Sequence, residues 1–371
     1  MPRDLLVSLV TVVAFLIGCS GAPPAAPTAP STAAPTLAPA PKPTVVPTGV
    51  PVPAASGGAP VVKIGLLQGT GNSPMFVAKG RGYFDKQGLD VQFVPVSSGA
   101  ELLPLLASAQ LDAGVSSPGA ALFNAIGNNV PLKAVLDMGR DEPGSWWGGM
   151  VVRPDLLDSG AIKAPADLKG KTIAVTGPGV ATYLNAITLL ESAVLTEKDV
   201  NITSMTFPDM ISALGTKKID AAEVVEPALT LGEEQGVLRR WMSNAEISPG
   251  QQEVVMMVTP KFAANKDVAD RFMLALVEGL HEYRAAFGPE KKDQEAVIAA
   301  VLPLLGNNYT ADILRKIRPL GLDANGFVNG DSLKQQQDWY AAHGFIKTPV
   351  NIDDVVDNSF AERAKDGLNK R

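Results

Sequence analysis

Val61-Val62-Lys63-Ile64-Gly65-Leu66-Leu67, leading through Gly69 to Asp112, has a counterpart in Thr172-Ile173-Ala174-Val175, leading through Gly177 to Asp220. The spans Gly69 to Asp112 and Gly177 to Asp220 are equal in length and follow one plan. An apolar strand-like run comes first, then a Gly-rich turn (Gly69-Thr70-Gly71-Asn72-Ser73; Thr176-Gly177-Pro178-Gly179-Val180), a helical segment and a second extended run. A further helix ends at Leu111-Asp112-Ala113-Gly114-Val115 or at Ile219-Asp220-Ala221-Ala222-Glu223-Val224. Both copies close on a polar residue and proline, Ser117-Pro118 and Glu226-Pro227. Strand–turn–helix units in series build a mostly parallel sheet, and open α/β sheets hold ligands at the C-terminal ends of their strands. Two such units predict two lobes with a cleft between them.

Working outward, strands are expected at Val62–Leu67, Val91–Pro95, Ala113–Val115 and Leu132–Met138, with helices at Ser73–Gly80, Ala100–Gln110 and Gly119–Ile126. Trp146–Val152 reads as a strand crossing into a second lobe built on Thr172–Val175, Ile202–Phe207, Ala221–Val225 and Leu238–Met242. Ala181, Leu184, Ile187, Leu190 and Ala193 fall at helical spacing, so Val180–Val194 is the long helix of that lobe. Glu253–Thr259 reads as the strand that crosses back, and the chain after Pro260 as helices at Val268–Phe287, Gln294–Leu305, Thr310–Ile317 and Ser332–His343. Two crossings make a hinge. The division expected is 1–18 as a signal peptide, 19–60 as a tether, 61–148 with 256–371 as one lobe and 149–255 as the other.

The N-terminus carries its own signal. Leu5 to Ile17 is a thirteen-residue apolar core, shorter than the roughly 20 residues needed to span a bilayer, so it reads as a signal peptide. It closes on Leu16-Ile17-Gly18-Cys19, which resembles the lipobox of bacterial lipoproteins and implies acylation, palmitate included, of Cys19. An ordinary signal peptide with an incidental Cys19 is the plainer alternative. From Ser20 to Pro60 there are twelve prolines and one charge, Lys42. Such a stretch favours extended polyproline II and reaches about 100 Å at about 3.1 Å per residue. It suits a tether to a membrane, or otherwise a proline-rich docking segment.

Composition excludes several classes. A net charge of −6 without a basic block makes nucleic acid an unsuitable partner. His281 and His343 are the only histidines and Cys19 the only cysteine, which leaves no internal disulfide and no His/Cys metal site. No Ser–His–Asp or paired-carboxylate spacing can be traced, so no catalytic residues and no cofactor are expected.

Tyr83-Phe84-Asp85-Lys86-Gln87-Gly88-Leu89-Asp90-Val91, then Ser97-Ser98-Gly99 and Gln110-Leu111-Asp112-Ala113-Gly114, resemble the solute-binding proteins of ABC importers. The group in question handles nitrate, aliphatic sulfonates, taurine, thiamine pyrimidine precursors and riboflavin, and includes fungal pyrimidine synthases. The resemblance covers 61–259 well and the helical tail loosely. It implies an α/β, two-lobed periplasmic-binding-protein type II fold with two hinge crossings and a helical C-terminal part. It also implies a monomer on the outer side of the cell membrane that delivers a small molecule to a permease and its ATPase. The motif itself is partly structural, since Gly80, Gly82 and Gly88 let the chain turn around a short helix, and Tyr83 and Phe84 suit core positions.

Cleft candidates lie at strand C-termini and helix N-termini. Asn72 and Ser73 open the first helix, and Gly179, Val180, Ala181 and Thr182 open its counterpart; their N–H groups suit anions or carbonyl-type acceptors. Turn geometry alone also accounts for Gly71 and Gly179. Ser116 and Ser117 end the third strand as hydroxyl donors or as helix caps. Glu226 holds the matching place, accepting ligand N–H or O–H groups or facing solvent at a helix start. Trp146 and Trp147 sit at the first crossing; strand neighbours point to opposite faces, so at most one lines the cleft, with Tyr183 a further aromatic candidate.

Charge selects the ligand. Arg140 is the cation near the crossing in the sequence, among Asp137, Asp141 and Glu142, and Glu226 repels an anion by on the order of 1 kcal/mol or more when partly buried. An uncharged heteroaromatic is therefore expected, riboflavin first and a thiamine-type pyrimidine next, with sulfonate, taurine or nitrate as the alternative. A pyrimidine synthase-like enzyme is the rival class, and it fits poorly because both histidines lie in the helical tail. A structural or signalling lipoprotein that borrows the fold is the other.

Overall fold

The structure, a computed structural model, describes residues 58–67, 70–96, 98–305 and 309–370. Cys19 and the segments read as signal peptide and proline-rich tether lie outside the described residues up to position 57. Ten strands form two five-stranded sheets. The first holds β1 (Val61–Leu67), β2 (Asp90–Val96), β3 (Ala113–Ser116), β4 (Lys133–Arg140) and β10 (Gln252–Val258), in the order β2-β1-β3-β10-β4. The second holds β5 (Gly148–Val152), β6 (Thr172–Val175), β7 (Asn201–Ser204), β8 (Ala221–Val225) and β9 (Arg239–Ser243), in the order β7-β6-β8-β5-β9. The orders correspond place for place. In each sheet the fourth strand is the first one made after the chain arrives from the other sheet, and it pairs antiparallel with its neighbours. The duplicated sequence thus yields two copies of one topology, each completed by a strand from beyond the crossing.

Local chemistry repeats as well. The Lys63 amide donates to Asp112 Oδ2 at 2.9 Å, and the Thr172 amide donates to Asp220 Oδ2 at 2.9 Å. The aspartates of the two repeated motifs therefore pin the start of β1 and β6 to the strand each precedes. Ser98 caps the helix Gly99–Ala107 and Thr206 caps the helix Phe207–Gly215, each accepting from an acidic residue's amide three positions on.

The expected strand Ile202–Phe207 stops at Ser204, because Thr206 caps and Pro208 occupies the first turn of a helix that begins at Phe207. Trp146 and Trp147 precede β5 rather than lie on it, so strand alternation does not govern them. Gly149 is needed there: a Cβ would stand 2.3 Å from the Met242 carbonyl oxygen of the adjacent β9. Of the three glycines expected to turn the chain, Gly82 and Gly88 have positive φ (71° and 66°). Gly80 serves packing instead, since a Cβ would lie 2.4 Å from Ala300 O.

After β10 the chain is helical. The helix Lys266–Phe287 buries Phe272, Met273, Leu276, Leu280 and Tyr283 against the helix Ser73–Gly80 on the first sheet. A helix at Ser359–Asn369, missed by the sequence reading, covers its other side and buries Phe360, Ala361 and Ala364. The helix Gly330–Ala342 touches both halves: Tyr340 packs with the first sheet's core and Trp339 with Tyr183 of the second. The crossings, 141–147 and 244–251, are tied to each other. Asp141 N donates to Gln251 O and Gly250 N donates to Asp141 O, both at 2.9 Å.

Candidate ligand-binding site

In both sheets the C-terminal ends of the parallel strands and the two crossings lie on the same edge, and the candidate residues gather there. Asn72 and Ser73 are buried at the start of their helix, with Ser73 hydrogen-bonded to the Tyr283 phenol. Ser116 is half-buried and donates to the Ser117 carbonyl at 3.3 Å, while Ser117 is exposed. Gly179 has a left-handed φ of 71°, and its carbonyl accepts from Ala120 N at 3.0 Å. A turn of the second sheet thereby rests on the N-terminus of the helix Ala120–Gly127 of the first, and the two halves meet at this point. Val180 is exposed and Ala181 half-buried. Thr182 closes the turn on itself, its hydroxyl accepting from Thr176 N at 3.0 Å and lying 2.7 Å from Thr176 Oγ1.

The aromatic candidates divide. Tyr183 is buried edge-on against Trp339 and Phe345, and burial together with its hydrogen bond to Glu197 pushes its phenol up to about 12. Trp147 belongs to the core of the first sheet. Trp146 is half-buried with the Arg240 and Arg318 guanidiniums 5.8 and 5.9 Å from its ring.

Glu226 does not face solvent. It is 3% exposed, and Oε1 accepts from Arg240 Nη2 at 2.8 Å, from the Thr230 hydroxyl at 2.9 Å and from Arg318 N at 3.2 Å. Oε2 accepts from Thr230 N at 3.0 Å. Arg240 also pairs with Glu233 at 2.9 Å and donates to the Trp146 carbonyl at 2.8 Å. Arg140 is blunted as its neighbours suggest, by Asp137 at 2.8 Å and by Asp323 at 2.9 Å. It is not the one cation near the crossing, however. Folding brings in Arg240 from β9 and Arg318 from the tail, which no sequence spacing relates to Trp146.

A buried polar network at the crossings went unread in the sequence. It comprises Asp141 in the first crossing, Gln251 and Glu253 at the second, and Glu223 on β8. Asn185 on the helix Ala181–Ser192 and Asn244 after β9 complete it; all six are at most 5% exposed. Gln251 Nε2 bridges Asn185 Oδ1 at 3.0 Å and Glu253 Oε1 at 2.7 Å. Asp141 and Glu253 hydrogen-bond carboxyl to carboxyl, which requires a proton between them. Burial first, then the charge of Glu253, holds Asp141 well above the usual carboxylate range. Burial raises Glu223 likewise, opposed by the carboxamides of Asn244 and Asn185, which face it without aligning for a hydrogen bond. Among the described residues, eight buried side-chain polar atoms have no hydrogen-bond partner. They sit on Asp141, Asn185, Glu223 and Asn244 and on the adjoining Gln336 and Tyr340 of the helix Gly330–Ala342. An orphaned buried polar atom costs about 1–3 kcal/mol, so their convergence is expensive for stability alone. A charge inside Ala221-Ala222-Glu223-Val224-Val225 was the available signal, since a fully buried strand position seldom takes one.

No group of three or more His, Cys, Asp or Glu among the described residues is arranged to hold a metal ion. His281 meets the Ala324 carbonyl at 2.8 Å, and His343 stacks on Trp339 at 3.7 Å. No helix of the described residues is long and apolar enough to cross a membrane.

Residues 70–286 match the family described as NMT1/THI5 like. The chain belongs to that family. A protein of Brachyspira hyodysenteriae named as an ABC transporter periplasmic binding protein is 27% identical to this NMT1/THI5-like chain over 329 residues, 84% of this chain and 91% of that one. Among solved structures, the periplasmic aliphatic sulphonate binding protein SsuA from Escherichia coli superposes with a TM-score of 0.66 at 19% identity, covering 80% of this chain and 91% of that one. The periplasmic nitrate-binding protein NrtA from Synechocystis PCC 6803 does so with a TM-score of 0.67 at 14% identity, covering 84% and 89%. Identities this low relate these two through the fold.

Proposed function

We propose that this NMT1/THI5-like chain is the substrate-binding component of an ABC import system. It closes on one small solute between its two sheets and delivers it to a permease driven by a cytoplasmic ATPase, with no covalent chemistry of its own. The observation that carries this reading is the pair of identically ordered sheets joined by two mutually hydrogen-bonded crossings. That arrangement hinges on short segments and brings two sets of strand ends onto one ligand. Cys19, acylated, would tether the monomer to the outer side of the cell membrane through the proline-rich segment.

For the solute, the reading is an uncharged heteroaromatic, riboflavin first and the thiamine pyrimidine next. Arg140 and Arg240 are each held by two carboxylates, and Asp141, Glu223 and Glu253 add acidic groups at the same edge. An anion gains little from guanidiniums that are already paired. Trp146 supplies an aromatic face for a planar ring. One observation favours the alternative of a sulfonate, taurine or nitrate: Arg318 is exposed beside Trp146. A thermal-shift screen of the purified protein with riboflavin, pyrimidines, taurine, alkanesulfonates and nitrate separates the two. A ligand that binds only the folded state raises the melting temperature. Quenching of flavin fluorescence at micromolar protein supports riboflavin, and its absence removes it. A melting temperature indifferent to the whole panel favours a structural lipoprotein.

A further inference from the structure

Asp141 follows β4 by one residue and Asn244 follows β9 by one residue, so the matched topology puts them at equivalent ends of the two crossings. Glu223, Asn185 and Asn244 belong to the second sheet and its helices, whereas Asp141, Glu253, Gln336 and Tyr340 belong to the crossings, β10 and the tail. The network therefore spans the joint on which the halves would move. It holds all eight of the unpartnered buried side-chain atoms found among the described residues. Folded proteins seldom leave such atoms unmatched, and those left tend to mark function.

We propose that this network receives the hydrogen-bonding edge of the solute, and that the solute is an uncharged or protonated nitrogen heterocycle carrying adjacent N–H donors and acceptor atoms. This rests on the solute-binding reading above. The unpartnered set supplies both polarities: donors at Asn185 Nδ2, Asn244 Nδ2 and Tyr340 Oη, and acceptors at Asn244 Oδ1, Glu223 Oε1 and Oε2, and Gln336 Oε1. The titratable groups that face one another here are Asp141, Glu223, Glu253 and Tyr340, with no arginine or lysine among them. A sulfonate or nitrate would meet only acids and amides, while a ring with alternating donors and acceptors would satisfy atoms on both sides of the joint at once. A ligand that bridges the halves binds the closed form better than the open one, which is the differential affinity that drives closure.

The test uses Glu223→Met and Asn244→Leu, near-isosteric changes that remove unpartnered polar atoms. Calorimetric titration with riboflavin and with the thiamine aminopyrimidine is set beside nitrate and ethanesulfonate, and the melting temperature of each unliganded protein is recorded. The expected result is heterocycle binding by the wild type, at least about tenfold weaker binding by both variants, and unliganded melting temperatures equal to or above the wild type's. Unchanged heterocycle affinity in both variants overturns the assignment and leaves the proposed function standing. Unliganded melting temperatures that fall while affinity holds give the network a structural role and overturn it too. A wild type that binds only nitrate or ethanesulfonate, or nothing in the panel, removes both the assignment and the heteroaromatic reading.

Discussion

Replacing Glu223 with Gln should change how stability depends on pH more than it changes stability itself. Glu223 is fully buried on β8, and burial raises its pKa well above the ordinary glutamate value against the weaker opposing pull of Asn244 and Asn185. The native state therefore keeps a proton that the unfolded chain releases above about pH 4.3. Stability is full below that pH and falls as pH rises toward the native pKa, by about 1.4 kcal/mol per unit for one proton. Between pH 5.5 and 7.5 this amounts to about 2.7 kcal/mol, or roughly 5 °C in melting temperature for a protein of this size. Gln has no proton to release, so its contribution is flat. Melting curves of both proteins in buffers of matched ionic strength should show the variant gaining roughly 5 °C on the wild type across that interval. A difference that stays constant from pH 5.5 to 7.5 would mean that Glu223 is ionised in the native state, and the account of the buried network would be wrong.

Other consequences follow from particular contacts. Arg240→Ala leaves Glu226 buried without its charged partner and should cost about 3–5 kcal/mol, read from denaturant midpoints; a loss below about 1 kcal/mol would show the pair to be solvated. Asp112→Ala and Asp220→Ala each remove the acceptor of one strand amide and should destabilise by similar amounts, about 1–2 kcal/mol, unequal losses counting against the equivalence of the copies. Gly149→Ala forces a Cβ to 2.3 Å from Met242 O and should lower the melting temperature by several degrees or prevent folding. Cys19→Ala should abolish metabolic labelling with palmitate and move the protein out of the membrane fraction, with solute binding unchanged; a variant that stays labelled would overturn the lipoprotein reading.

Much of the architecture is legible along the chain because it is local and repeated. The paired strand–turn–helix units, the matching aspartates and the buried run Val254–Val258 all declare themselves within short windows. The errors arose where local signals conflict or are weak. Phe207 continues an apolar run but follows a capping Thr206, and the helix Ser359–Asn369 offers little beyond its amphipathic spacing. The candidate site was read as positions rather than as chemistry. Ser73, Gly179 and Glu226 do lie at strand and helix ends, yet the partners of Glu226 are Arg240, Thr230 and Arg318, up to 92 residues away.

The amino-acid sequence alone determined that two like units would form two sheets of parallel strands with their ends on a common edge. Periodicity and turn chemistry act over a few residues, and the repetition supplies the rest. Only the tertiary structure decided which charges are neutralised, which tryptophan keeps an open face and where acids are buried. Asp141, Glu223 and Glu253 meet because two crossings bring distant residues into one low-dielectric space, and their ionisation depends on that company and on nothing adjacent in the chain.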